Sequence, residues 1–176
     1  MTSQPPASQF RDVAPDAMRN SSAMENLLEH VFVAEILQDC WFRRKQLVEV
    51  LHTEVDAYGY DIVLQCGGII RHVQLKASSS SAKAARQTVN IRLAAKPSGC
   101  VVWIRYQEES ESNRLKLSYL WFGGGPGEAL PHLGEQVGAH TVKKTPRPNT
   151  RVIARRQFQT ISSTKDLVEV LFGPVA

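Results

Sequence analysis

Asp56-Ala57-Tyr58-Gly59-Tyr60-Asp61-Ile62-Val63-Leu64-Gln65-Cys66-Gly67-Gly68-Ile69-Ile70-Arg71-His72-Val73-Gln74-Leu75-Lys76-Ala77-Ser78 decides how this chain folds. A two-residue Gly-Gly loop between apolar stretches predicts a hairpin, because glycine tolerates positive φ at both central positions. With Gly67 and Gly68 in those positions, Asp61 lies directly opposite Gln74. Side chains alternate along a strand, so Gln74 and Lys76 share one face and Val73 and Leu75 the other. Asp61 joins the polar face, and Ile62, Leu64, Val73 and Leu75 form the buried side. The register holds provided no bulge or longer loop interrupts the ladder.

Outward from the hairpin, the pattern predicts a mixed α/β chain. A helix begins near Ser21 or Ser22, with serine as N-cap, and runs to about Trp41. Met24, Leu28, Val31, Ile36, Leu37 and Cys40 give it helical periodicity. A strand is expected near 46–55, then the hairpin strands near 59–65 and 70–77, and a polar turn over 78–81. Ser81 is placed to cap a second helix over 82–94. Strands follow at 100–106 and 115–122, separated by a polar loop. Residues 123–150 read as loop-rich, with a flexible glycine run at 123–127, and 151–160 as a late strand. Ser163 has a capping-box-like setting before a closing helix at 167–172 that stops at Gly173. The order predicts an α/β sandwich with a mixed central sheet flanked by helices.

The 176 residues suffice for one domain with a sizeable core. We assign residues 1–20, rich in Ser, Pro, Gln and Asp, to a disordered tail, and 21–176 to a single domain. The net charge of +4 and pI of about 9.1 permit a nucleic-acid partner without demanding one. Cys40, Cys66 and Cys100 form neither a zinc spacing nor a disulfide framework, which suits a reducing cytoplasm. No apolar run reaches transmembrane length, and residues 1–20 lack the apolar core of a signal peptide. The expectation is a cytoplasmic protein with no membrane partner.

The hairpin brings together a carboxylate, an amide oxygen and an amine, a set that suits a divalent metal beside a phosphodiester. The same residues resemble the PD-(D/E)XK nuclease superfamily, the restriction-endonuclease-like fold. That family has a helix, a three-stranded meander carrying the active site, a second helix and a further strand. Its signature is an Asp on one strand and (D/E)-x-K on the next. Asp61 matches the Asp, and Gln74-Leu75-Lys76 occupies the tripeptide. The local form, with Gly-x-Asp on one strand and Gln-x-Lys-x-Ser on the next, looks like a prokaryotic subset. The resemblance spans residues 21–106. Gln74 departs from the signature and removes one negative charge, although an amide oxygen still ligates a hard cation.

The resemblance implies a metal-dependent nuclease, with DNA as substrate and Mg²⁺ as cofactor, Mn²⁺ substituting. Asp61 is then a direct ligand, Gln74 coordinates through its side-chain oxygen, and the Leu75 carbonyl adds a backbone ligand. Lys76 positions the attacking water and stabilises charge in the transition state. Glu29 is the helix carboxylate that joins through water or a second metal. Glu25 lies one turn before it, and Glu35 about 120° around the helix. Each residue has a structural alternative: Asp61 satisfying turn amides, Gln74 solvated on a half-exposed strand, Lys76 guarding a sheet edge, the glutamates on a solvated helix face. Asp56 is read as supporting the Gly59 bend. Ser78, Lys83 and Arg86 are candidates for phosphate binding, or an ordinary capped region with exposed cations.

The remaining signals point to structure. The glycine run lacks the Gly-Lys-Ser/Thr ending of a phosphate loop. His132 and His140 have no metal-site spacing. Lys143, Lys144, Arg147, Arg151, Arg155 and Arg156 form a loose basic stretch that suits a nucleic-acid backbone or a solvated surface. Trp103, Tyr119 and Trp121 are core or sheet-face aromatics. The rival to the nuclease is a catalytically inactive module of the same fold that binds nucleic acid or a partner protein in a defence or repair assembly. A homodimer or a partner subunit is compatible with either.

Overall fold

Gly67 and Gly68 both adopt left-handed backbone, with φ of +54° and +84°, and close a two-residue turn. The ladder that follows has the expected register, Ile62 opposite Val73 and Cys66 opposite Ile69. The regular ladder ends at Ile62: Asp61 lies before the strand, and its N–H donates to the carbonyl of Val73, the residue already opposite Ile62, at 2.9 Å, so the expected pairing of Asp61 with Gln74 does not form and the chain bulges at this point. The structure, a computed structural model, describes residues 21–53, 58–140 and 145–175. The tail at 1–20, Asp56, Lys143 and Lys144 lie outside the described residues.

Strands β1 (Val48–His52), β2 (Ile62–Cys66) and β3 (Ile69–Ser79) form an antiparallel meander. β3 then pairs in parallel with β5 (Gly99–Glu109). β6 (Arg114–Gly123) and β9 (Gln159–Ile161) complete a six-stranded mixed sheet of order β1-β2-β3-β5-β6-β9. A second sheet of three strands, β4 (Arg86–Asn90), β8 (Pro146–Ala154) and β7 (Val137–Ala139), has the order β4-β8-β7.

Helix α1 (Ser21–Asp39) forms because Leu28, Phe32, Ile36 and, in the next turn, Cys40 recur every fourth residue and are all buried. Each such side chain contributes roughly 1.5–3 kcal/mol by leaving water. Leu37, which sequence periodicity assigned to the same stripe, is exposed. The helix ends in a π turn, Cys40–Arg44, stopped by Lys45 at φ +56°. Helix α2 (Thr164–Phe172) starts as expected, Ser163 Oγ accepting the Asp166 N–H at 3.1 Å.

Two expectations are corrected. Among the described residues, helices flank only one face of the main sheet: α1 and α2 share a core with Val73, Val102, Ile104, Tyr119 and Trp121. The alternate residues Val101, Trp103, Leu120 and Phe122 face a second core with Val89, Ile153 and Phe158. The small sheet covers that face. There is also no helix over 82–94. Thr88-Val89 sits in β4, with Val89 fully buried, and only Ile91–Ala95 turns, as a 3-10 helix. The segment lacks the apolar stripe a helix would bury, whereas one β-branched residue pointing inward suits a strand. Ser81 therefore caps no helix, and its hydroxyl meets that of Ser79 at 2.8 Å.

The stretch read as one late strand divides into β8, a 3-10 turn at Arg155–Gln157 and β9. The loop-rich region contains β7 and the start of β8. The glycine run is pinned rather than flexible. Arg71, fully buried, donates to the carbonyls of Gly124, Gly125, Val170 and Leu171, at 3.1, 3.0, 2.6 and 2.6 Å respectively. Its guanidinium thereby caps the carbonyl end of α2 and ties it to the loop. Burial lowers its pKa from the usual arginine value.

Candidate active site

β3 runs six residues past the last residue paired with β2, and the site opens where β2 stops. Among the described residues, the outer side of β3 has no strand neighbour beyond Val73. Asp61 fills part of that place: its Oδ2 accepts the Leu75 N–H at 2.6 Å. A charge-assisted bond to a strand amide fixes the carboxylate's direction. The N–H and C=O of one strand residue point to the same side, so the Leu75 carbonyl also looks toward Asp61.

A cavity of about 460 Å³ lies here, lined by Glu25, Glu29, Asp61, Leu75, Lys76 and Gln87, with Leu28 and Ile104 among its apolar walls. Glu29 is held from β1: His52 Nε2 lies 2.9 Å from its Oε1. Among the described residues, Glu25, Glu29, Asp61 and Lys76 therefore line one polar cleft between the helix and the sheet's open edge. Of the predicted residues, Asp61, Leu75, Lys76 and Glu29 are brought together, and Glu25 sits with them.

Gln74 is not. It is buried, and its Oε1 accepts the Asn90 N–H at 3.2 Å. The amide thus tethers the main sheet to the end of β4. Gly59, at φ +78°, packs on the same point, where a Cβ would come within 2.6 Å of Asn90 Cβ. Gln74, expected to coordinate metal through its side-chain oxygen, does not line the cavity, and that oxygen accepts a backbone amide across the layers.

Ser78 is likewise committed to structure. Its Oγ accepts from Trp103 Nε1 and from Arg105, each at 2.7 Å. Lys83 and Arg86 are exposed, before and at the start of β4. Glu35 takes no part in the cavity. Its Oε2 accepts from Tyr119 and Thr164 hydroxyls, both at 2.6 Å, joining the two helices to the sheet. Burial, then the Glu35 carboxylate, raise the Tyr119 pKa above the usual phenol value.

Sequence reasoning missed His52 and Gln87. His52 stands in a predicted strand, but its approach to Glu29 depends on how that strand docks under α1, which periodicity does not give. Gln87 was misplaced by the helix reading of 82–94.

The donor set bears on metal choice. Carboxylates and a backbone carbonyl are hard oxygen ligands of the kind Mg²⁺ takes. Mg²⁺ commonly binds through one or two carboxylates and keeps several waters. Among the described residues no group of three or more His, Cys, Asp or Glu side chains is placed to hold a metal ion. In kind, the oxygen donors of Asp61, Glu29 and the Leu75 carbonyl suit Mg²⁺, whereas structural zinc sites are built from Cys and His.

No family model, curated protein or solved structure matches this chain. No helix among the described residues is long and apolar enough to cross a membrane.

Proposed function

We propose that this protein is a metal-dependent nuclease hydrolysing phosphodiester bonds in DNA, on a variant of the restriction-endonuclease-like fold. The observation that carries the reading is the convergence of Asp61, Glu29 and Lys76 on one cavity at the open edge of β3. The three come from different elements, and a nuclease of this type needs them together.

Asp61, Glu29 and the Leu75 carbonyl would hold Mg²⁺, which when bound supplies Lewis acidity toward a phosphate oxygen and acidifies water. The chain's own residues do the positioning. The Leu75 N–H orients Asp61, and His52 orients Glu29. Lys76 carries the positive charge of the cleft and stabilises negative charge developing on the phosphate. Glu25 and Glu29, one turn apart on α1, oppose close approach of a phosphate until a cation neutralises them, so binding in the cleft requires the metal.

The rival reading, an inactive module of the same fold that binds nucleic acid or protein, has one observation in its favour. Gln74 serves the fold through Asn90 and withholds the ligand that the signature's acid would supply. Cleavage of supercoiled plasmid and single-stranded DNA with Mg²⁺ or Mn²⁺ separates the two, with Lys76→Ala run beside the wild type. Cutting that is lost with EDTA and in the variant supports the nuclease. No cutting by wild type at high protein concentration favours the binding module.

A further inference from the structure

The small sheet gathers cations that lie far apart in the sequence. Arg86 opens β4 and stands opposite Ala154 of β8. The next residue, Arg155, donates its backbone N–H to the Ala85 carbonyl at 2.8 Å. Lys83 and Arg86 are thereby brought beside Arg155 and Arg156, and all four side chains are exposed. Arg86 lies opposite Ala154 and Arg155 opposite Ala85, so these cations leave the end of the ladder toward both of its faces, as a charged rim. None of the four forms an ion pair among the described residues.

A fifth cation lies beneath them. Arg105 is buried, and among the described residues its guanidinium donates to neutral acceptors: Ser78 Oγ at 2.7 Å, and the carbonyls of Ser80 and Ala82 at 2.8 and 2.9 Å. Burial, and then the proximity of Arg155, lower its pKa. Uncompensated like charge works against the folded state, and it also attracts a polyanion. The face continues to the candidate cavity through Gln87, the residue after Arg86, which lines it.

We propose that Lys83, Arg86, Arg155 and Arg156 form a face that binds the phosphate backbone of nucleic acid and leads it to the cavity. Half of this face comes from the 3-10 turn after β8, outside the region that resembles known nucleases. The choice of nucleic acid over other polyanions rests on the nuclease reading, while the face itself rests on charge and topology. Arg105 acts behind it, bracing the 78–82 turn.

Binding is measured by anisotropy of a short labelled DNA duplex and of one of its strands, in EDTA so that no cleavage intervenes. The full chain is compared with Lys83→Ala/Arg86→Ala and Arg155→Ala/Arg156→Ala. Each pair should weaken binding without altering thermal unfolding. Each should also flatten the plot of log affinity against log salt by about 1.8 on duplex, at about 0.9 per phosphate contact. Wild-type affinity and slope in both variants would overturn the proposal. So would absence of DNA binding by wild type, including the case where it binds vesicles of anionic phosphatidylserine instead. DNA binding in EDTA without cleavage in Mg²⁺ would support the face and count against the nuclease. Cleavage with binding unaffected by the variants would do the reverse.

Discussion

Replacing Asp61 in two ways separates its structural from its chemical role. Its Oδ2 accepts the Leu75 N–H at 2.6 Å, at the point where β3 loses its neighbour β2. Alanine removes the acceptor and leaves that strand amide unpaired. An unsatisfied, partly buried donor costs about 1–3 kcal/mol. The amide lies at the mouth of a cavity that admits water, so about 1–2 kcal/mol is expected here. For a chain of this size that lowers the midpoint by roughly 3–6 °C. Asparagine keeps an oxygen in the same place and should cost less than about 1 kcal/mol. It also relieves repulsion from Glu25 and Glu29, which share the cavity. Both variants remove the carboxylate charge that a divalent cation needs, so both should lose DNA cleavage by at least about a hundredfold. Urea titration read by circular dichroism gives the first quantity, and plasmid nicking in Mg²⁺ the second. Undiminished cleavage by Asp61→Asn would show that Asp61 merely ends a ladder. Unchanged stability of Asp61→Ala would refute the hydrogen-bond argument.

Two further substitutions test how the site is supported. Gln74→Glu restores the signature acid but places a carboxylate where the side chain is buried against Asn90; a loss on the order of 1–3 kcal/mol is expected with no gain in cleavage, and a faster Mg²⁺-dependent rate would reinstate position 74 as a ligand. Arg71→Met strips its partner from four carbonyls at the end of α2 and in the glycine loop; it should lower the urea midpoint by more than about 3 kcal/mol equivalent with little change in slope, and a loss below about 1 kcal/mol would mean that water replaces the guanidinium.

The hairpin was legible because its signals are local. Gly67-Gly68 fixes the turn, and period-2 alternation then fixes the register as far as Ile62 and Val73, without knowledge of the rest of the chain; the bulge at Asp61 carries no such local signal. The closing helix was legible for the same reason, from Ser163 and Gly173. What was not legible depends on which surface an element meets. The basic, Ala-rich segment 82–94 carries good helix formers, and only its docking against β8, more than sixty residues later, makes it a strand. The function of Gln74 is lost for the same reason. From sequence it is a polar residue two positions before a lysine, and its partner Asn90 is placed only by the tertiary fold.

That dependence accounts for the chain's departure from the signature it resembles. A helix packed beside β3 satisfies its own backbone, and an acid facing the cleft is then unencumbered. Here the crossover between β3 and β5 is made by β4 and a 3-10 turn instead. The amide of Asn90 sits at the end of that strand, where the chain leaves sheet geometry, and a buried N–H without a partner would be costly. Gln74 supplies the oxygen, and it does so without burying a charge. An acid at the same position would have to be ionised to bind metal while lying in contact with a closely packed layer. The acidic charge of the cleft is carried instead by α1, where Glu25 and Glu29 face the cavity from a helix free to present them, with His52 steadying the second. On the proposed nuclease reading, metal binding in this cleft would turn on Asp61 and Glu29, while the Gln74 oxygen serves the crossover strand.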